Sequence, residues 1–175
     1  MNDKIRVLLS EEEVAKRIKE MGEEISSAYE GRPLHLICIL KGGVFFTCEL
    51  AKRISLPLTL DFMSVSSYGA GTVSSGIVKI VKDLDEPIEG KDVLIVEDII
   101  DSGNTLSYLI EVLKQRNPRS IELCTLLDKP ERRVKKQVTV KYTCFTVPDQ
   151  FIVGYGLDYD QKYRNLPYIG VIEQQ

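Results

Sequence analysis

The residues Val93-Leu94-Ile95-Val96-Glu97-Asp98-Ile99-Ile100-Asp101-Ser102-Gly103-Asn104-Thr105-Leu106 concentrate the chemistry of this chain. An apolar run that reads as a buried strand ends in two acids. A third acid follows two apolar residues later, and Ser-Gly-Asn-Thr then leads into a helix. Backbone amides in such a loop, together with a helix N-terminus, make a cradle for an anion. Ser102 and Thr105 add hydroxyl donors. Glu97 and Asp98 would repel a phosphate set directly on them. They suit groups that carboxylates attract, namely ribose hydroxyls and a magnesium ion. One short segment thus combines sites for a phosphate, a sugar diol and a metal.

Other chemistries find little support. His35 is the single histidine, which excludes multi-histidine metal sites. Cys38, Cys48, Cys124 and Cys144 form no close pair of the zinc or redox type. There is no Gly-Lys-Ser/Thr loop for a nucleoside triphosphate and no Gly-x-Gly-x-x-Gly fingerprint for a dinucleotide. Net charge is -3, so no partnership with nucleic acid is expected. The basic run Arg132 to Lys136 reads as a solvated face. No apolar stretch approaches the roughly 20 residues that span a bilayer. Met1 to Arg6 is polar and mixed in charge, unlike a secretory leader, and cysteines that read as buried inert thiols fit a reducing cytoplasm, the expected location.

The elements that position the acids follow from periodicity and punctuation. Ser10 and Glu13 form a capping-box pattern, and Val14, Ile18, Met21 and Ile25 continue it at helical spacing to about Tyr29. Leu34–Leu40 reads as a buried strand, followed by Lys41-Gly42-Gly43 and a helix over about Val44–Ile54. Leu58–Ser66, Ile77–Val81, Asp92–Glu97 and Ile121–Leu127 read as further strands. Leu106, Leu109, Ile110 and Leu113 mark a helix between the last two. From Asp128 onward the rhythm changes to short strands over Val138–Phe145, Phe151–Tyr155 and Tyr168–Ile172. Apolar strands alternating with helices predict an α/β fold, a parallel twisted sheet with helices on both faces. The irregular C-terminal part is expected to cap the carboxyl ends of the strands, the edge at which open α/β sheets bind ligands. The expected organisation is one domain over 1–175, with a core of about 30–127. A small hood would come from N-terminal residues plus about 128–175.

The strand, Glu97-Asp98, Asp101-Ser102-Gly103-Asn104-Thr105 and helix pattern resembles the phosphoribosyl pyrophosphate signature of type I phosphoribosyltransferases. The likeness extends over nearly the whole chain to the hypoxanthine-guanine phosphoribosyltransferases. Leu40-Lys41-Gly42-Gly43 resembles the family's pyrophosphate loop, although alone it reads as a strand-to-helix turn. Ser66-Ser67-Tyr68-Gly69 resembles its lid, and Asp128-Lys129-Pro130 its base-recognition segment. Val147 to Asp158 resembles its hood, with Tyr163-Arg164-Asn165-Leu166-Pro167 following.

That resemblance implies a purine salvage enzyme for a 6-oxopurine base, phosphoribosyl pyrophosphate and Mg2+, as a homodimer or homotetramer. It assigns phosphate and ribose to Glu97, Asp98, Asp101, Ser102, Gly103, Asn104 and Thr105. Pyrophosphate falls to Lys41, Gly42 and Arg164, with a cis Leu40–Lys41 peptide. The metal falls to Glu97, Asp98 and Asp158. Asp101 would take the proton leaving the purine. Lys129 would donate to the 6-oxo group, Phe151 would stack on the ring, and backbone groups near Ile152 and Asp158 would read the opposite edge. Ser67 and Tyr68 would belong to a lid that excludes water. The competing class is a nucleotide-binding regulator that keeps the phosphate loop but lacks base chemistry. Asp101, Lys129 and the hood argue against it. Adenine as substrate is disfavoured because an ammonium donates and cannot accept.

Overall fold

The computed structural model describes residues 3–67, 78–134 and 138–173. In chain order the elements are β1 (Lys4–Leu9), α1 (Glu11–Ala28), β2 (Leu34–Leu40), α2 (Val44–Ala51), β3 (Leu58–Ser67), β4 (Val78–Lys82) and β5 (Asp92–Ile100). There follow α3 (Asn104–Lys114), β6 (Ser120–Asp128), a 3-10 turn at Pro130–Arg132, β7 (Tyr142–Thr146), β8 (Ile152–Val153) and β9 (Ile169–Glu173).

Six strands form the main sheet in the order β4-β3-β2-β5-β6-β7. Its ladders are parallel except at one edge, where β4 runs antiparallel to β3. β2 and β5 are central, and their LHLICIL and DVLIV runs are buried along their length. This is the pattern of strands covered on both faces. On one face, Val14, Ile18, Met21 and Ile25 of α1 pack with Phe46 and Leu50 of α2. On the other, Leu106, Leu109 and Leu113 of α3 pack on Ile37, Val93, Ile95 and Leu123. The capping box of α1 forms as expected: Ser10 N–H donates to Glu13 Oε2 at 2.7 Å, and Glu13 N–H to Ser10 Oγ at 3.2 Å.

A second, three-stranded antiparallel sheet runs β1-β9-β8. Its Ile152, Ile169 and Val171 join the same apolar cluster as α1 and α2. β1 is the element that the local pattern does not announce. Lys4 and Arg6 make it look like a polar leader, yet both ion-pair with Glu173 on the neighbouring strand, at 3.1 and 3.5 Å. Other boundaries move too. β5 continues past Glu97 to Ile100, so Glu97 and Asp98 lie within the strand and Asp101 just beyond its end. The expected Phe151–Tyr155 strand shrinks to Ile152–Val153 because Gly154, Tyr155 and Gly156 all take positive φ and fold the chain back. The Val138–Phe145 strand contracts to Tyr142–Thr146.

Candidate active site

The carboxyl ends of β5 and β6 carry the expected phosphate and base segments side by side. Between β5 and α3 the chain turns at Gly103, which has φ 81° and precedes the first helical residue. That left-handed conformation carries little cost for glycine and disfavours other residues. The N-cap residue Gly103 has no side chain to cap α3, and of the first-turn amides Asn104 N–H meets Ser102 Oγ from within the loop. A cavity of about 280 Å³ opens there, lined by Glu97, Asp101, Ser102, Gly103 and Thr105, with Ile39, Val65 and Leu106 as its apolar wall. Two members of the expected set do not line it: Asp98, which faces the neighbouring cavity, and Asn104. The Asn104 N–H donates to Ser102 Oγ at 3.4 Å.

A second cavity of about 230 Å³ lies on the other side of Asp101. Asp98, Lys129, Phe151, Ile152, Leu157 and Asp158 line it together with Asp101 and Ile99. Every residue expected to meet the base is therefore in one place. Phe151 is 48% exposed, which removes the plain reading of a core phenylalanine. Its ring and that of Tyr159 meet in a T-shaped pair with centroids 5.3 Å apart. Lys129 is buried, and its Nζ lies 3.8 Å from Asp101 Oδ1.

The Leu40–Lys41 peptide is cis. The loop after it is squeezed between two other segments. A Cβ on Gly42 would overlap the Asp98 carboxylate, and one on Gly156 would overlap the Gly42 carbonyl. Arg164 crosses this junction. It donates from Nη1 to the Gly156 carbonyl at 2.7 Å, and its Nη2 lies 3.2 Å from Asp158 Oδ1. Lys41 is exposed and reaches the same place, its Nζ 3.4 Å from Gln161 Oε1. Lys41, Gly42 and Arg164 thus converge.

Glu97 and Asp98 sit on successive strand positions and line different cavities, Glu97 the first and Asp98 the second. Burial and the neighbouring Asp98 charge push the Glu97 carboxyl well above its ordinary range. Burial also raises Asp98, against the Ile99 N–H that donates to it at 2.7 Å. Among the described residues neither acid has an ion-pair partner, so the pair is under-neutralised. A divalent cation arriving with phosphate oxygens answers that imbalance. No group of three or more metal-capable side chains converges among the described residues. Magnesium suits such a place, because it binds through one or two carboxylates, substrate phosphates and waters and not through a full protein cage.

A family model described as phosphoribosyl transferase domain matches residues 6–160. The hypoxanthine-guanine phosphoribosyltransferase of Bacillus subtilis is 55% identical over 168 residues, covering 96% of this chain and 93% of that protein. The chain belongs to the hypoxanthine-guanine phosphoribosyltransferase family. Among solved structures, a hypoxanthine phosphoribosyltransferase from Staphylococcus aureus superposes with a TM-score of 0.93 at 50% identity, covering 96% of this chain and 91% of that one. The bifunctional protein TilS/HprT of Listeria monocytogenes is 52% identical over 174 residues. The chain spans 27% of that relative's length.

Two residues at the site carry no local sequence signal. Arg133, expected on a solvated face, is largely buried instead. Its guanidinium bonds the Asp128 carboxylate, and Nε donates to the Asp101 carbonyl at 3.2 Å. Val134 N–H donates to the Ser102 carbonyl at 3.0 Å. The segment after β6 therefore clips the anion loop in place. Arg132 keeps the expected exposed position, 3.6 Å from Asp149, whereas Lys135 and Lys136 lie outside the described residues. Gln161 is the second such residue: its Oε1 accepts from both Lys41 and Arg164. The expected lid falls outside the described residues, apart from the backbone of Ser67 at the end of β3; Tyr68 is not described.

Proposed function

We propose that this chain transfers the phosphoribosyl group of phosphoribosyl pyrophosphate to hypoxanthine or guanine, giving IMP or GMP and pyrophosphate. The observation that carries this reading is the position of Asp101, the acid shared by the two cavities. Ser102, Gly103 and Thr105 beside it suit the 5-phosphate. Lys129, Phe151 and Ile152 on its other side suit a planar base with a carbonyl at position 6. A purine nitrogen held there faces the anomeric carbon of a sugar held in the first cavity. The new N–C bond forms as the C–O bond to pyrophosphate breaks, and the bond electrons leave with pyrophosphate. Asp101 accepts the proton lost from the five-membered ring, so positive charge does not accumulate on the base. Lys41 and Arg164 compensate the charge growing on the leaving group. Holding both reactants against one rigid strand end supplies the orientation.

Magnesium is assigned to Glu97, Asp98 and Asp158, where it would neutralise pyrophosphate oxygens. Glu97 and Asp98 also suit the ribose hydroxyls. Lys129 Nζ donates and cannot accept, which favours a 6-oxo group over the amino group of adenine. A cytoplasmic homo-oligomer belongs to the same reading. Four cysteines that form no disulfide fit the reducing compartment of that reading, and among the described residues no helix is long and apolar enough to cross a membrane. The test is incubation with phosphoribosyl pyrophosphate, magnesium and each purine in turn. IMP and GMP with stoichiometric pyrophosphate are expected, and adenine is expected to be inert. Donor binding without any nucleotide product would indicate a regulator and overturn the assignment.

A further inference from the structure

Gln161 occupies a place that packing does not explain. It is exposed and lies in a tight turn where Tyr159 and Lys162 exchange backbone hydrogen bonds at 3.0 and 2.9 Å. Asp160 and Gln161 both hold left-handed backbone, with φ 49° and 64°. Such conformations are unfavourable for residues with a side chain and persist where the surroundings impose them. Here the Gln161 N–H donates to Asp158 Oδ2 at 2.8 Å, which ties the turn to the rim of the base cavity. The turn aims the carboxamide at two cations from distant parts of the chain. Oε1 accepts from Lys41 Nζ at 3.4 Å and from Arg164 Nη2 at 3.2 Å. Lysine and arginine only donate, so the oxygen and not the amide nitrogen must face them.

We propose that Gln161 is a positioning residue that holds the pyrophosphate subsite open: its neutral oxygen keeps Lys41 and Arg164 together until an anion replaces it. This rests on the reading of those two cations as the pyrophosphate clamp. The neutrality of the side chain is the essential point. Two cations brought together without an acceptor between them repel and swing into solvent. A carboxylate between them would hold them well, but would compete with every incoming phosphate oxygen. A carboxamide orients the donors through its dipole and adds no charge of its own, so Lys41 stays uncompensated and Arg164 is offset by Asp158, 3.2 Å away. The incoming pyrophosphate then meets a net positive pair already placed to donate, at small cost in reorganisation.

The test compares Gln161→Glu and Gln161→Ala with the parent. Calorimetry would measure binding of inorganic pyrophosphate with magnesium, and of IMP. Gln161→Glu is expected to weaken pyrophosphate about tenfold, as two exposed charge pairs must be broken. That ratio should shrink as added salt screens the pairs. Gln161→Ala should weaken pyrophosphate by only about two- to fivefold, since it loses orientation alone. Binding of IMP should stay near the parent value in both, because the backbone tie to Asp158 is retained. Equal pyrophosphate affinity in the parent and Gln161→Glu would overturn the proposal. So would equal losses in the two variants, or a loss shared by IMP. A parent that binds no pyrophosphate would instead overturn the underlying reading of Lys41 and Arg164.

Discussion

Lys129 Nζ stands 3.8 Å from Asp101 Oδ1, so the group suited to the base carbonyl faces the group suited to the base proton. The lysine comes from the end of β6 and the aspartate from the end of β5, strands that pair in parallel register up to Ile100 and Asp128. The Lys129 N–H also donates to the Ile100 carbonyl at 3.0 Å. The distance between the two side chains is therefore set by the sheet and not by a free loop.

Lys129→Met keeps much of the stem and removes the donor. A lost hydrogen bond to a charged group is worth roughly 1.5–3 kcal/mol, or about ten- to a hundredfold. Affinity for hypoxanthine and guanine should fall by that range, with phosphoribosyl pyrophosphate binding nearly unchanged. Steady-state kinetics in each substrate, with direct binding of the donor, measures both. A large loss of donor affinity would place Lys129 in the other half of the site.

Gly156 makes the junction of the small sheet with the pyrophosphate loop. Its φ is 102°, and a Cβ there would run into the Gly42 carbonyl. Gly156→Ala should cost more than the roughly 1–3 kcal/mol of a strained backbone conformation, because the loop must also move. Gly31 provides the comparison: its φ is 77°, but nothing lies near its missing Cβ. Melting curves should show the larger fall for Gly156→Ala, and pyrophosphate affinity should fall in that variant alone. Equal destabilisation by the two substitutions would mean that the close approach adds nothing.

These contacts also mark what the linear chain discloses. The cradle was legible because its parts are consecutive: Glu97 to Thr105 bring strand, acids, turn glycine and helix start within one segment. The capping box of Ser10 and Glu13 was legible for the same reason. The bond from Arg133 to the Asp101 carbonyl joins residues 32 apart, and that from Lys41 to Gln161 spans 120. Neither has a local signature, and a basic run looks solvated until its acceptors are known. β1 was hidden likewise, since Lys4 and Arg6 gain a reason only from Glu173 at the far end of the chain.

His35 lies at the opposite end of β2 from the site and should govern the acid limb of stability. It is buried, with Nδ1 2.6 Å from Thr59 Oγ1 and, among the described residues, no partner for Nε2. Burial first, then the Lys91 charge, lower its pKa, and Asp61 opposes them. The folded state thus binds the proton less readily than the unfolded chain, whose histidine titrates at about 6.5. Stability is fully present above that value and is lost as pH falls from it through the depressed folded value. Each unit of separation contributes about 1.4 kcal/mol. Denaturant unfolding between about pH 7.5 and about pH 5 should show a drop that His35→Gln reduces. Glu97 and Asp98, raised in the fold, act with the opposite sign, and the comparison of two proteins cancels them. An identical pH slope in the variant would exclude His35 as the cause.

Asp101→Asn tests the chemistry most directly. Three acids lie close together, and their surroundings divide the work. Glu97 and Asp98 are drawn into the sheet and, among the described residues, form no ion pair, which suits a metal and a diol. Asp101 is about half exposed, faces both cavities and has Lys129 as its side-chain neighbour. Its backbone is held by Arg133, so the carboxylate has a fixed origin and a free end. Asparagine keeps that shape and removes the charge that accepts the proton. General acid–base contributions are typically 10² to 10⁴-fold, so turnover should fall by about that much. Binding of magnesium and phosphoribosyl pyrophosphate should change little. Asp98→Asn should do the reverse, weakening the donor substrate and shifting the magnesium requirement while sparing the proton step. Steady-state profiles for both variants, paired with donor binding, separate the roles. If Asp101→Asn turned over within a few-fold of the parent, the proton would leave by another route, and Asp101 would only position the base.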